Sequence, residues 1–141
     1  MNIYNRTILI GIINKKQNKK KCLNNLEELE KLIITLKGKV IKKFYQRIRK
    51  INLKTYIGKG KIKTIKKFII KKKIKTIIFN DKISSIQYRN IENFINKNNI
   101  FIYDRTKIIL DIFKYRSKNY NSKIQIELAE KKYLFTRLNK M

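Results

Sequence analysis

Residues 76–104 read TIIFNDKISSIQYRNIENFINKNNIFIYD, and this stretch decides the fold. It begins and ends with short apolar runs, Thr76–Phe79 and Ile100–Tyr103, which are typical of strands buried on both faces of a sheet. Between them, Ser84 and Gln87 have the spacing of a capping box, which predicts the start of a helix. A strand, a helix and a second strand in this order predict parallel strands joined by a helical crossover.

The same alternation continues upstream. Strands are predicted at Thr7–Ile13 and Val40–Tyr45, with a short strand at Tyr56–Gly58. Helices are predicted at Cys22–Leu36 and at Lys61–Lys73, with Ile62, Ile65 and Ile69 facing inward. Gln46–Lys54 is a basic connector without clear periodicity. Because strands and helices alternate, the fold class is α/β, with a small, open, mostly parallel sheet over about residues 7–104. Right-handed crossovers predict flanking helices on both faces.

A helical arm, residues 105–141, follows this sheet, so we predict two parts, 1–104 and 105–141. Apolar spacing predicts one helix from Arg105 to Arg116, with Ile108, Ile109, Ile112 and Phe113 on one apolar face, and another helix from Ser122 onward. The second helix carries two apolar stripes, formed by Ile124, Leu128, Phe135 and Leu138, and by Ile126, Ala129 and Tyr133. A helix that is apolar on two sides requires two packing partners. Because this pattern runs to the last residue, we interpret the arm as truncated.

Several motifs in the chain resemble the N-terminal domain of the HflX-type ribosome-associated GTPase family. In chain order they are Thr55–Lys61 (TYIGKGK), Phe79–Glu92 (FNDKISSIQYRNIE), Asp104–Phe113 (DRTKIILDIF), the single arginine Arg116, Gln125–Ala129 (QIELA) and Tyr133–Leu138 (YLFTRL). The resemblance extends over about residues 7–141. It implies that the arm is the first part of a helical pair. It also implies binding to the large ribosomal subunit through rRNA, with the arm reaching towards the peptidyl-transferase region. In the intact family, GTP binding helps to separate stalled ribosomal subunits.

The GTPase signature is absent from these 141 residues. No G-x-x-x-x-G-K-[ST] sequence occurs in them, and that loop is what cradles nucleotide phosphates. The resemblance implies GTP and Mg²⁺ for the full-length family, through a G domain that follows the helical pair. We therefore predict no cofactor and no GTP hydrolysis for this chain alone, and a separately encoded G domain is a further implied partner.

The net charge is +28, from 37 Lys and Arg against 9 Asp and Glu. A charge of this size favours polyanionic partners, above all nucleic acid. Codon drift in an AT-rich genome is an alternative source of the lysines, because Ile, Lys and Asn make up 75 of the 141 residues. The basic charge allows an alternative function, a standalone basic RNA-binding fragment. A second alternative is an adenine-nucleotide-binding α/β domain.

The composition excludes several classes of site. Cys22 is the single cysteine and there is no histidine, so disulfides, zinc sites and histidine-based acid–base catalysis are excluded. We interpret Cys22 as a structural thiol. The longest apolar run is too short to cross a bilayer, so we predict a cytoplasmic protein without a membrane partner.

The segment Gly58, Lys59, Gly60 and Lys61 follows the short predicted strand and precedes a helix. Three interpretations are open: a tight turn in which glycine supplies unusual dihedral angles, a contact with the RNA backbone, and a small-nucleotide phosphate site. The stretch Lys59–Lys75 holds nine lysines in seventeen residues and no acidic residue. It is either a phosphate-binding face or an ordinary solvated surface.

Arginine is the rarer cation here, with seven in the chain. The predicted nucleic-acid-binding residues are Arg116, Arg137, Arg89, Lys59, Lys61 and Lys123. Of these, Arg116 and Arg137 on the arm are the favoured rRNA contacts, and Arg105 beside Asp104 is interpreted as a structural ion pair.

We predict no catalytic residue and no metal site. Asp81, Asp104 and Asp111 fall in three different elements, and caps or ion pairs are favoured over a catalytic pair. Tyr133 is interpreted as a packing residue, whereas Tyr120 is open to either packing or stacking on a base.

Overall fold

The computed structural model of the chain describes residues 2–95 and 99–138. It has four strands and five helices in these residues. In chain order they are β1 (Thr7–Ile13), α1 (Lys19–Thr35), β2 (Val40–Arg47), α2 (Lys59–Lys72), β3 (Thr76–Phe79), α3 (Ser85–Ile95), β4 (Phe101–Asp104), α4 (Arg105–Arg116) and α5 (Tyr120–Leu138). The alternation predicted from the sequence is confirmed.

All strand pairs in the sheet are parallel, and the strand order is β2-β1-β3-β4. Helices α2 and α3 cover one face, with Ile65 and Ile91 in its core. Helices α1 and α4 cover the other face, with Leu26 and Ile108 in its core. The predicted α/β sheet with helices on both faces is therefore confirmed, and every residue of the central strand β1 is buried.

Several elements differ from the prediction, most clearly α1, β2 and the segment before α2. Helix α1 begins at Lys19 instead of residue 22, because the side chain of Asn18 caps it by accepting a hydrogen bond from the Lys21 amide. Strand β2 extends to Arg47. The short strand predicted at Tyr56–Gly58 is wrong, since Tyr56 forms only an isolated antiparallel bridge with Asn52.

The end of α1 uses a lysine and a glycine for different purposes. Lys37 adopts the left-handed conformation, with φ of 66°. The Gly38 amide donates to the Ile33 carbonyl at 2.9 Å, which satisfies an end group of the helix. A Cβ on Gly38 would lie only 2.6 Å from the Cβ of Tyr4. Gly38 is thus required by close packing rather than by its own dihedral angles.

The capping box at the start of α3 is confirmed. The Gln87 amide donates to Ser84 Oγ at 3.1 Å, and the Ser84 amide donates to Gln87 Oε1 at 2.8 Å. These reciprocal bonds satisfy two backbone amides that the helix itself cannot pair.

The two apolar stripes predicted for α5 differ in burial. In α5, Tyr133 is buried against the rest of the fold, whereas Leu128 and Phe135 are 54% and 64% exposed. One stripe therefore packs and the other faces solvent, as a helix with one partner present requires. In α4, Phe113 was expected on the buried face but is 55% exposed. Within the described residues, no helix is both long and apolar enough to span a membrane.

Candidate nucleic-acid interface

The Gly58–Lys61 segment forms the beginning of α2. Gly58 is the residue before the first helical turn, in extended conformation, and its amide donates to Gln46 Oε1 at 2.9 Å. None of the four glycines has a positive φ, so the interpretation of unusual glycine dihedrals is wrong. The left-handed residue of this region is Tyr56, with φ of 71°.

Small residues leave the first turn of α2 open. A Cβ on Gly60 would meet no heavy atom within 4 Å, and no side chain caps the helix. Lys59 is exposed, and the Lys61 Nζ lies 5.8 Å from the centre of the Phe44 ring. Accessible amides and nearby cations favour an anion here, so both the RNA-backbone and the nucleotide interpretations remain predictions.

The loop between β2 and α2, residues 48–58, shapes the surface beside this helix start. A groove of about 560 Å³ lies between the loop and the helix. It is lined by Ile48, Lys50, Ile51, Asn52, Leu53, Lys54, Gly58 and Lys59. Most of this loop was predicted as a basic connector, so Lys50, Leu53 and Lys54 were not predicted as functional residues. The one available signal was Asn52, a residue type that favours turns.

Hydrogen bonds fix the loop in place. Asn52 and Tyr56 bond to each other through both backbone pairs, at 3.2 and 2.8 Å. The Asn52 side chain also accepts from the amides of Lys54 and Thr55. From α3, Gln87 Nε2 donates to the Asn52 carbonyl at 2.8 Å, and Asn90 Nδ2 donates to the Lys54 carbonyl at 3.1 Å. The loop is therefore held by its own backbone and by a neighbouring helix.

The position where nucleotides usually bind in such sheets is occupied by protein side chains. In open α/β sheets that position is the carboxyl edge between the strands where the order reverses, here β1 and β3. Arg105 lies there and donates to Asn80 Oδ1 at 2.7 Å and to the Asn25 carbonyl at 2.9 Å. It also forms an ion pair with Glu28 at 3.1 Å. Arg105 is thus structural as predicted, but its acidic partner is Glu28 and not Asp104.

The remaining predicted cations lie in three places. Arg116 and Lys123 are exposed on either side of the turn that joins α4 to α5. Arg116 also lines a groove of about 460 Å³ between these two helices. Arg89 is half-buried on α3. Arg137 lies in the last turn of α5, and its side chain is outside the part of the chain that the structure describes.

Each of the three aspartates makes structural contacts. Of the favoured caps and ion pairs, Asp111 forms an ion pair with Lys107 at 3.0 Å, and Asp104 makes no side-chain cap of α4. Asp81 accepts from the Tyr56 hydroxyl, and Asp111 accepts from the Tyr4 hydroxyl. Asp104 is fully buried and accepts from the Ile83 amide at 3.1 Å and from the Tyr133 hydroxyl at 3.0 Å. The contact with Asp104 confirms Tyr133 as a packing residue.

Burial raises the pKa of two tyrosines and of the cysteine. For the Tyr4 and Tyr56 phenols, burial is the largest cause, and the neighbouring carboxylates of Asp111 and Asp81 raise the pKa further. The pKa of the buried Cys22 thiol is raised by the same two effects, burial first and then the charge of Asp81. A buried thiol with a raised pKa is unreactive, in agreement with the structural role inferred for it.

Residues 23–114 match the family described as GTP-binding GTPase N-terminal. The protein named GTPase HflX of Flavobacterium psychrophilum is 38% identical over 138 residues, which are 98% of this chain and 33% of that protein. GTPase HflX of Alkalihalophilus pseudofirmus is 40% identical over 115 residues, 82% of this chain and 26% of that protein. The chain thus spans about a third or less of these relatives.

Solved structures agree on the fold. The GDP complex of SsGBP superimposes with a TM-score of 0.72 at 24% identity, over 96% of this chain and 37% of that one. A GTP-binding protein of Sulfolobus solfataricus in complex with GDP gives a TM-score of 0.68 at 24% identity, over 96% of this chain and 39% of that one.

Proposed function

This chain belongs to the HflX-type GTPase family, whose N-terminal domain it matches, and we propose that it binds the large ribosomal subunit through rRNA. The observation that carries the proposal is the position of Arg116. It is an arginine at a position of the family motif, and it is exposed at the turn between α4 and α5 with Lys123 on the other side of that turn. A pair of exposed cations at the end of two helices suits contacts with the phosphate backbone.

The remaining positive charges attract polyanions but do not select a particular binding position. With a net charge of +28, the chain is drawn to any polyanion, and such binding weakens steeply as salt increases. A directed contact differs because it depends on particular cations. We assign GTP hydrolysis to no residue in this chain, because its 141 residues contain no phosphate-binding loop of the P-loop type. A ribosomal partner would place the protein in the cytoplasm.

The test is cosedimentation with purified large ribosomal subunits across a salt series. The variant Arg116→Gln/Lys123→Gln is compared with Lys39→Gln/Lys72→Gln, which removes two exposed lysines before β2 and at the end of α2. Both variants remove the same charge. We expect the first to weaken binding by about tenfold or more and to reduce the slope of log K against log salt by about 1.5 to 2. The control should retain most of the affinity.

Equal losses in the two variants would mean that the lysines act as undirected charge, and the proposal would then fail. Absence of comigration by the unmodified protein at moderate salt would also overturn it.

A further inference from the structure

The groove beside residues 48–58 combines three features that the proposed function does not use. Leu53 is 74% exposed, more than any other aliphatic side chain that the structure describes in residues 2–95 and 99–136. Ile51, also partly exposed, lines the same groove. Lys50, Lys54 and Lys59 are exposed along it. The surface therefore has apolar side chains between cations.

The backbone on either side of Leu53 is held in place by hydrogen bonds. The residues on either side of it are fixed, because the carbonyls of Asn52 and Lys54 accept hydrogen bonds from Gln87 and Asn90 of α3. A leucine on a loop that is already ordered can make a contact without a further entropic cost for ordering the backbone. This distinguishes Leu53 from an apolar residue on a free loop tip.

The charge of the loop selects the class of partner. Residues 48–59 contain Arg49 and three lysines and no acidic residue. The acid in the neighbouring loop after β3 is Asp81, which is engaged by the Tyr56 hydroxyl. An anionic ligand that also presents apolar faces fits this surface best. Unpaired nucleotides have that chemistry, since a charged phosphate and a flat base alternate along the strand.

We propose that this groove binds an unpaired segment of RNA, with Lys50, Lys54 and Lys59 at phosphates and Leu53 against the face of a base. The proposal rests on the proposed function only for the class of ligand, RNA. It adds a second contact surface, which lies on the loop after β2 and not on α4 or α5. It also assigns a role to residues that match no family motif quoted above, Lys50 and Leu53.

The test uses two probes, a ten-nucleotide polyuridylate and an RNA duplex of equal charge, and two pairs of matched variants. Leu53→Ser is compared with Ile34→Ser, which alters an isoleucine that is 57% exposed on α1. Lys50→Gln/Lys54→Gln/Lys59→Gln is compared with Lys37→Gln/Lys39→Gln/Lys72→Gln. All these side chains are exposed, so the fold should be retained, and circular dichroism checks this.

We expect Leu53→Ser to weaken binding to the single strand by about fivefold, the lower end of the range for loss of one base stacked on an aromatic side chain, because leucine has no aromatic face. The salt slope should not change, because no charge is removed. Binding to the duplex should be unaffected, since its bases are already stacked. The groove triple variant should reduce the single-strand salt slope by about 2, and its control should reduce it much less.

If Leu53→Ser binds the single strand as Ile34→Ser does, or if the two triple variants are equal, the groove proposal is overturned. The same variants are then tested on large ribosomal subunits. Loss of subunit binding in Arg116→Gln/Lys123→Gln, without loss in Leu53→Ser, would leave the proposed function standing and remove only the groove. If the oligonucleotide depends on Leu53 while the unmodified protein does not bind subunits, the proposed function fails and the groove stands.

Discussion

Helix α5 and the body of the molecule use similar apolar side chains in opposite ways. The body is the sheet with its four flanking helices, residues 7–116. In the body, strand β1 is buried along its whole length, and Leu26 of α1 has no exposed surface. In α5, Tyr133 is the one buried residue among the described side chains, and Leu128 is 54% exposed. Helical spacing creates a stripe, but only a packing partner turns the stripe into a core.

The largest expected effect is a difference in stability between two variants, with one leucine replaced in each region. Leu26 packs against Gly11, where an added Cβ would lie 3.2 Å from its methyl group. We expect Leu26→Ala to lower the free energy of unfolding by about 2–5 kcal/mol, because it loses buried surface and leaves a cavity. Leu128→Ala should change it by less than about 0.5 kcal/mol. Urea denaturation followed by circular dichroism measures both.

A large loss in Leu128→Ala would contradict this comparison. It would mean that the outer stripe of α5 is covered in solution, and repeating the titration at several protein concentrations would show whether a second copy of the chain covers it.

The second prediction concerns the attachment of α5 to the body. The Tyr133 hydroxyl donates to the buried Asp104 carboxylate at 3.0 Å, and a hydrogen bond to a charged group contributes about 1.5–3 kcal/mol. We expect Tyr133→Phe to lower the opening free energy of α5 by about that amount. Hydrogen exchange should then be about ten- to hundredfold faster for α5 amides, with little change in β1.

Tyr120→Phe is the matched control, because Tyr120 is 76% exposed on the same helix. Equal acceleration of exchange in α5 and β1 by Tyr133→Phe would show that the two regions unfold as one unit, against the distinction made here.

The sequence predicts the body better than the surface. Ser84 and Gln87 form their capping box, and Ile62, Ile65 and Ile69 face the sheet, because local spacing alone decides these features. Phe113 was expected inside but is exposed. Its helix buries only Ile108 and Ile112, so the covered face is narrower than the apolar pattern. The pattern does not say how wide a partner will be.

The candidate interface was partly predictable for the same reason. The start of α2 was predicted to within two residues because the apolar spacing of Ile62, Ile65 and Ile69 marks the helix, although the short strand predicted before it is absent. The groove does not, because it depends on hydrogen bonds from Gln87 and Asn90 to a loop more than 30 residues earlier in the chain. Contacts at this separation leave no periodic trace, and residues 46–54 therefore looked like a connector.

The smallest expected effect is the pH dependence of stability that comes from the buried Tyr56 phenol beside Asp81. Burial, with the Asp81 carboxylate adding to it, raises the pKa of the Tyr56 phenol in the folded state above its ordinary value of 10.0. Below pH 10 the phenol keeps its proton in both states, so its contribution to stability is complete. Above pH 10 the unfolded chain loses the proton and the folded chain retains it. The free energy of unfolding should therefore fall by about 1.4 kcal/mol per pH unit from this group.

Tyr56→Phe should remove this part of the decline, so that its stability curve falls less steeply than that of the unmodified protein between pH 10 and 11. The lysines, whose ordinary pKa is near 10.4, are common to both proteins and cancel in the difference. Urea midpoints at pH 9, 10, 10.5 and 11 provide the measurement, with Tyr120→Phe as the control on α5. Parallel curves for Tyr56→Phe and the unmodified protein would mean that the phenol is not held by burial and Asp81. The loop of residues 48–58 would then lose one of the contacts that fix it, and the contrast between a fixed body and a loosely attached α5 would be weaker.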